Sequence, residues 1–200
     1  DQAEQDQNAS EVACSHAIES LRAWLPDAAG LADADLVAAT DSDGNTWLHL
    51  MSLGFASGRP CGERTWREVI GVLLRVSAVV DAKNLLGETP LICAAQSHAP
   101  PEFVSTLLRA RANPNMSDHL SETALMVAAV EGLGELCSVL LEARAYPEMR
   151  NAQGKRAVDL ARVSSSDEML SLFGSARDSM AEEQAVEHDN VDEESRHAEG

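Results

Sequence analysis

The sequence predicts an all-α solenoid, a row of short helix pairs stacked on one another, and three observations carry that expectation. Four segments resemble each other: GNTWLHLM at 44–51, GETPLICAA at 87–95, SETALMVAA at 121–129 and GKRAVDLA at 154–161, with starts 43, 34 and 33 residues apart. A second apolar stretch follows each of the first three, and its leucine doublet (Leu73 and Leu74, Leu107 and Leu108, Leu140 and Leu141) stands 14 residues before the next segment every time. Hydrophobic residues make up 44% of the chain but aromatics only 4%, so the core must be built from alanine and aliphatic side chains, a composition that leans helical.

Within a unit, Pro90-Leu91-Ile92-Cys93-Ala94-Ala95 reads as a first helix. Proline suits its first position, where the missing N–H costs nothing, and the alanines allow close approach of a neighbour. Phe103, Leu107 and Leu108, and one unit later Leu136, Val139 and Leu140, recur at three- and four-residue spacing and give the second helix one buried stripe. Arg109, Arg111 and Arg144 fall near the C-terminal ends of these helices, where cations suit the dipole. Such a pair cannot bury its apolar stripe alone, so about three stacked units are the minimum for stability.

These residues resemble the ankyrin repeat, whose pattern includes T-P-L-H-x-A at a period of 33. The match is best at 84–116, through Gly87, Thr89, Pro90, Leu91, Ala94, Ala95, Leu107, Leu108, Ala112 and Asn115. The resemblance covers about 41–174 and implies four repeats, at 41–83, 84–117, 118–150 and 151–174, with short hairpin fingers between them. Departures are visible: Ser121 stands for the turn glycine, Ala124 for proline, and Arg156 for threonine. Only His49 keeps the family's histidine, with Ile92, Met126 and Asp159 in its place elsewhere, so the Thr-His hydrogen-bond network should be mostly absent. Asn115 falls where similar repeats can be hydroxylated, although an asparagine closing the finger turn is the favoured reading.

Around this core the chain is irregular. The acidic residues 1–9 are expected to be disordered. SEVACSHAIESLRAWL at 10–25 reads as an amphipathic helix, with Ser10 as N-cap and a stripe of Cys14, Ile18, Leu21 and Leu25, and 10–40 reads as an N-terminal capping segment. The first repeat is about ten residues too long, which places an insertion at Gly54–Glu63 between its helices. With Arg59, Arg64 and Arg67 nearby, this glycine-rich loop is either a bland surface loop or a contact for an acidic partner or for the chain's own tails. Met169, Leu170, Leu172 and Phe173 form a short closing helix, and 175–200 is expected to be a disordered acidic tail.

Charge and cysteine usage narrow the function. Acidic residues outnumber basic ones 33 to 15, for a net charge of −18. That disfavours nucleic acid and anionic membranes as partners. Cys14, Cys61, Cys93 and Cys137 lack any Cys-x-x-Cys spacing, so neither a zinc site nor a disulfide framework is signalled and an intracellular location is expected. Cys93 and Cys137 read as buried small hydrophobes, and Cys61 as the one exposed thiol. No apolar run is long enough to span a bilayer, and the first residues carry no signal-peptide pattern. Without an initiator Met, the sequence is expected to be a processed product or an excerpt of a longer chain. The nucleotide-loop, zinc-protease and nucleophile-elbow signatures do not occur, and the six histidines are scattered. No catalytic residue, metal or cofactor is expected.

The resemblance implies a concave binding face made of fingertips and first helices. Carried over by position, it comprises Ser42, Asp43 and Asn45; Leu85, Leu86 and Glu88; His119, Leu120 and Glu122; Ala152, Gln153 and Lys155, continuing along Gln96, Ser97, Val130 and Glu131. Leu85, Leu86 and Leu120 either form an exposed apolar patch rimmed by Glu88 and Glu122 or pack sideways on an adjacent finger. The expected function is a monomeric, non-enzymatic scaffold or adaptor for a protein partner. The alternatives are a regulatory segment of a larger enzyme or channel, or a binder of basic proteins through the acidic ends.

Overall fold

A computed structural model describes residues 39–54, 79–164 and 170–174, together with Arg67, Ile70, Gly71 and Leu73. The capping helix expected at 10–25, residues 55–63 of the expected insertion with Cys61, the doublet partner Leu74 and both acidic ends lie outside the described residues; Gly54, expected to open the insertion, is instead the buried last residue of the first helix. Six helices are delimited: α1 Trp47–Gly54, α2 Pro90–Gln96, α3 Pro101–Arg109, α4 Ala124–Val130, α5 Gly134–Glu142 and α6 Ala157–Ser164. Helical backbone also occurs at Arg67, Ile70, Gly71 and Leu73, and at 170–174. Among the described residues there is no β-strand, only an isolated antiparallel bridge between Ser117 and Thr123.

Local chemistry explains where these short helices begin. Thr89 and Thr123 are extended N-caps (φ −95° and −96°) whose hydroxyls accept from the N–H of Ile92 and Met126, each at 3.4 Å. Pro90 and Pro101 occupy first positions of α2 and α3. Left-handed residues stop the helices: His98 (φ 55°), Arg111 (φ 68°), Gly132 (φ 73°) and Arg144 (φ 65°). The residue after each donates back across the last turn, Ala99 to Ala94, Ala112 to Leu107, Leu133 to Ala128 and Ala145 to Leu140, at 2.9–3.0 Å. Arg111 and Arg144 are therefore the residues that terminate α3 and α5, rather than members of their last turns.

The stack has two layers. First helices α1, α2, α4 and α6 touch in sequence, α3 packs on α5, and within a repeat α2 meets α3 and α4 meets α5. Ala94, Ala95, Ala128, Ala129 and Ala161 are buried along the first-helix layer, where methyl side chains permit close approach. The leading leucine of each doublet (Leu73, Leu107 and Leu140) is fully buried, whereas Leu108 and Leu141 are half-buried against the same core. A fully buried leucine contributes about 1.5–3 kcal/mol relative to exposure. Phe173, in the closing helix, is buried as well.

Every buried side-chain nitrogen and oxygen among the described residues has a hydrogen-bond partner. Ser97, expected on the binding face, is instead buried: its hydroxyl bonds the Cys93 carbonyl at 2.8 Å and the carbonyl of Ser52 in the preceding repeat. A serine at the C-cap of α2 can turn inward because it finds acceptors in both repeats.

The position of the family histidine is filled in three ways. His49 is fully buried in repeat 1; its Nδ1 accepts from the Thr46 N–H at 3.1 Å and the Thr46 hydroxyl at 2.8 Å, while Nε2–H donates to the Glu88 carbonyl at 2.9 Å. Burial pushes this imidazole below its usual value despite the pull of the Glu88 carbonyl and the Glu88 and Asp41 carboxylates. Ile92 and Met126 fill the place with hydrocarbon. Asp159 accepts from the N–H and guanidinium of Arg156 at 3.0–3.2 Å, and those hydrogen bonds hold its carboxyl down to about 2.

Candidate partner-binding face

The fingers are built on one side chain each. Asp41, Asn84, Asp118 and Asn151 turn a carboxylate or amide oxygen back onto their own loop, accepting from the backbone N–H groups two and four residues on, at 2.8–3.0 Å. The backbone closes around the same bonds: Asp41, Asn84, Asp118 and Asn151 each donate to the carbonyl four residues later, at 3.0–3.1 Å. The fourth finger position is left-handed throughout, at Gly44 (φ 76°), Gly87 (φ 77°), Ser121 (φ 60°) and Gly154 (φ 75°). The serine that replaces the turn glycine thus adopts the glycine conformation and bears its strain.

Adjacent fingers are hydrogen-bonded at their tips. Leu85 N–H donates to the Asp43 carbonyl at 2.9 Å, His119 N–H to Leu86 at 3.3 Å, and Ala152 N–H to Leu120 at 2.8 Å. Side chains add a second line of bonds: Asn84 Nδ2 to Asn45 Oδ1 at 3.0 Å, and Asn151 Nδ2 to Glu122 Oε1 at 3.1 Å. A methyl group at Gly44 would lie 3.3 Å from Leu85 Cγ, and one at Gly87 only 2.9 Å from His119 Nδ1. Each finger's second residue therefore rests over the turn glycine of the finger before. Where Ser121 breaks that glycine series, the next finger supplies the small Ala152.

The residues expected on the face divide accordingly. Leu85 is 70% exposed, Leu86 64% and Leu120 60%, and Asp43, His119, Gln153 and Lys155 are exposed too. Leu85 packs sideways on Gly44 and still presents most of its surface. Glu88 and Glu122 are half-buried: Glu88 accepts from Asn84 Nδ2 at 2.9 Å and Gln96 Nε2 at 2.7 Å, and Glu122 from Asn151. Asn45 differs from the expectation. It is 6% exposed, and its amide joins Asp41 to Asn84 within the finger bases. Val130 is 45% exposed, and Glu131 pairs with His98 at 3.0 Å.

Other candidate chemistry resolves into structure. Cys93 and Cys137 are buried, and burial pushes both thiols up to about 12, so they remain protonated at neutral pH. Asn115 Oδ1 accepts from the Tyr146 N–H at 2.7 Å and its Nδ2 donates to the Arg144 carbonyl at 3.1 Å, tying repeat 2 to repeat 3. Asp81, one repeat earlier, accepts from Asn113 N–H at 3.0 Å in the same manner. No group of three or more His, Cys, Asp or Glu that could hold a metal occurs among the described residues. A depression of about 290 Å³ bordered by His98, Pro100, Leu133 and Glu135 lies between the inter-helix turns of repeats 2 and 3. Among the described residues, no helix is long and apolar enough to cross a membrane.

Two comparisons bear on this architecture. Residues 63–151 match the family model described as Ankyrin repeats (3 copies). NF-kappa-B inhibitor delta of Mus musculus is 36% identical over 95 residues, which is 48% of this chain and 27% of that relative. Residues 63–151 thus carry ankyrin repeats, and the described residues form an all-α solenoid consistent with them. It matches only about a quarter of the relative's length. Ankyrin repeats indicate a protein–protein interaction domain, and the same finger-and-helix geometry extends beyond the matched residues to Asp41 and α1 on one side and to α6 on the other.

Proposed function

We propose that the chain is a non-enzymatic scaffold that holds a protein partner on the face formed by its fingertips and first helices, with Leu85, Leu86 and Leu120 at the centre. The observation that supports this most is the exposure of three large apolar side chains, 60–70% each, on fingers that are hydrogen-bonded to one another. Such a platform is ordered before binding, so little conformational entropy is lost when a partner covers it. The polar residues Asp43, His119, Gln153 and Lys155 supply a rim, while Asn45 and Ser97 act inside the solenoid. The buried, protonated Cys93 and Cys137 suit a reducing, intracellular setting.

The name of the mouse relative makes NF-kappa-B one partner to assay. Affinity purification with wild type and with Leu86→Asp or Leu120→Asp tests the reading. Each substitution should strip the specific partner from the bait. A partner retained by both variants but released steeply by salt would point instead to the acidic ends.

A further inference from the structure

Resting on that binding face, we infer that its occupant is a protein segment carrying large apolar side chains flanked by lysine or arginine. Leu86 and Leu120 occupy the same place in adjacent fingers, and the peptide joining Leu86 to its neighbour is bonded directly to the finger that bears Leu120. The two leucines and Leu85 therefore offer one apolar area. Its surroundings are mainly acidic. The two leucine-bearing fingers, 84–88 and 118–122, contain Glu88, Asp118 and Glu122 against His119 alone, and Asp43 lies on the preceding finger; the cations nearby are Lys155 on the fourth finger and, flanking the loops, Lys83 and Arg150, whose charged groups are bonded to the carbonyls of Ser117 and Gly154 at 2.6 Å.

The hydrogen bonds on these carboxylates leave their charge in place. Glu88 is held by the amides of Asn84 and Gln96, Glu122 by that of Asn151, and Asp118 by backbone N–H groups. Neutral donors fix the position of an acid without cancelling its field. A segment that covers the leucines brings its flanks beside half-buried carboxylates, where a cation is attracted and another carboxylate repelled. Apolar side chains supply the contact and basic flanks select the partner.

The test pans a random-peptide display library against the full chain and measures an enriched synthetic peptide by fluorescence anisotropy. The expected pool joins large apolar residues to Lys or Arg. Binding of its peptides should weaken about tenfold with Leu86→Ser, weaken again with Glu88→Gln or Glu122→Gln, and fall as salt rises. A pool without basic enrichment, including one that yields no binder, overturns the inference, as does binding indifferent to salt and to both Glu→Gln variants. Should Leu86→Ser and Leu120→Ser still weaken such non-basic peptides, the leucine face stands and only the partner chemistry fails. Peptides indifferent to both serine variants, with melts unchanged, remove the face itself.

Discussion

Leucines meet opposite fates in two layers of the same repeats. In the helix layer Leu107 and Leu140 are fully buried, held by a stack of aliphatic side chains. In the finger layer Leu86 and Leu120 stand in solvent, on loops held by an Asx oxygen and a line of backbone bonds between fingers. Position in the repeat, not residue type, decides which leucine carries stability. The helix layer draws its free energy from burial, and the finger layer draws its shape from hydrogen bonds. The fingers can therefore change side chains at their tips without disturbing the stack.

The largest expected effect falls on the helix layer. Leu107→Ala or Leu140→Ala should cost about 2–5 kcal/mol in chemical denaturation, because each leaves a cavity among neighbours that cannot all collapse into it. In the finger layer, the damaging change is at the turn rather than the tip. Gly87→Ala forces a methyl into a left-handed residue and against the His119 ring. It should cost about 1–2 kcal/mol from the backbone conformation alone, readable in the same unfolding experiment. Ser121→Gly runs the other way: it removes that strain at the price of added chain entropy, and a gain of about 0.5–1 kcal/mol is expected.

A smaller effect distinguishes repeat 1 from repeats 2 and 3. His49 is buried with its ring below the usual value of 6.5. Below that value the unfolded chain takes up a proton that the folded chain does not, so stability falls as pH drops through about 6.5 and is insensitive to His49 well above it. Melting curves from pH 8 to 5.5 should show this slope, and His49→Leu, which imitates Ile92 and Met126, should flatten it. Asp159, held at about 2 by Arg156, acts in a separate window. Its contribution is present above its ordinary value of 3.8 and is lost as pH falls from there toward 2.

How much of this was legible in the sequence follows from which contacts are local. The leucine doublets, the Thr-Pro helix start and the alanines report burial within one unit, and they located the helix layer. The Thr-His exchange in repeat 1, and its loss in repeats 2 and 3, could be read directly from His49, Ile92 and Met126. The finger bases were readable but missed. Asp41, Asn84, Asp118 and Asn151 repeat at 43, 34 and 33 residues, in step with the segments that follow them. Asn45 and Ser97 were not readable from local pattern, because each is buried by a partner about one repeat away, Asn84 for the first and Ser52 for the second. The left-handed Arg111 and Arg144 were hidden for a related reason: the surrounding stack imposes a conformation that their own side chains disfavour, whereas Ser121 could be read from its place at the turn glycine.

Denaturant unfolding of Leu86→Asp beside Leu107→Ala tests the division between layers most directly. Leu86→Asp should unfold within about 0.5 kcal/mol of wild type, while Leu107→Ala loses several times that. Equal destabilisation of the two variants would mean that the fingertip leucine is part of the core and that the two layers are not separately held.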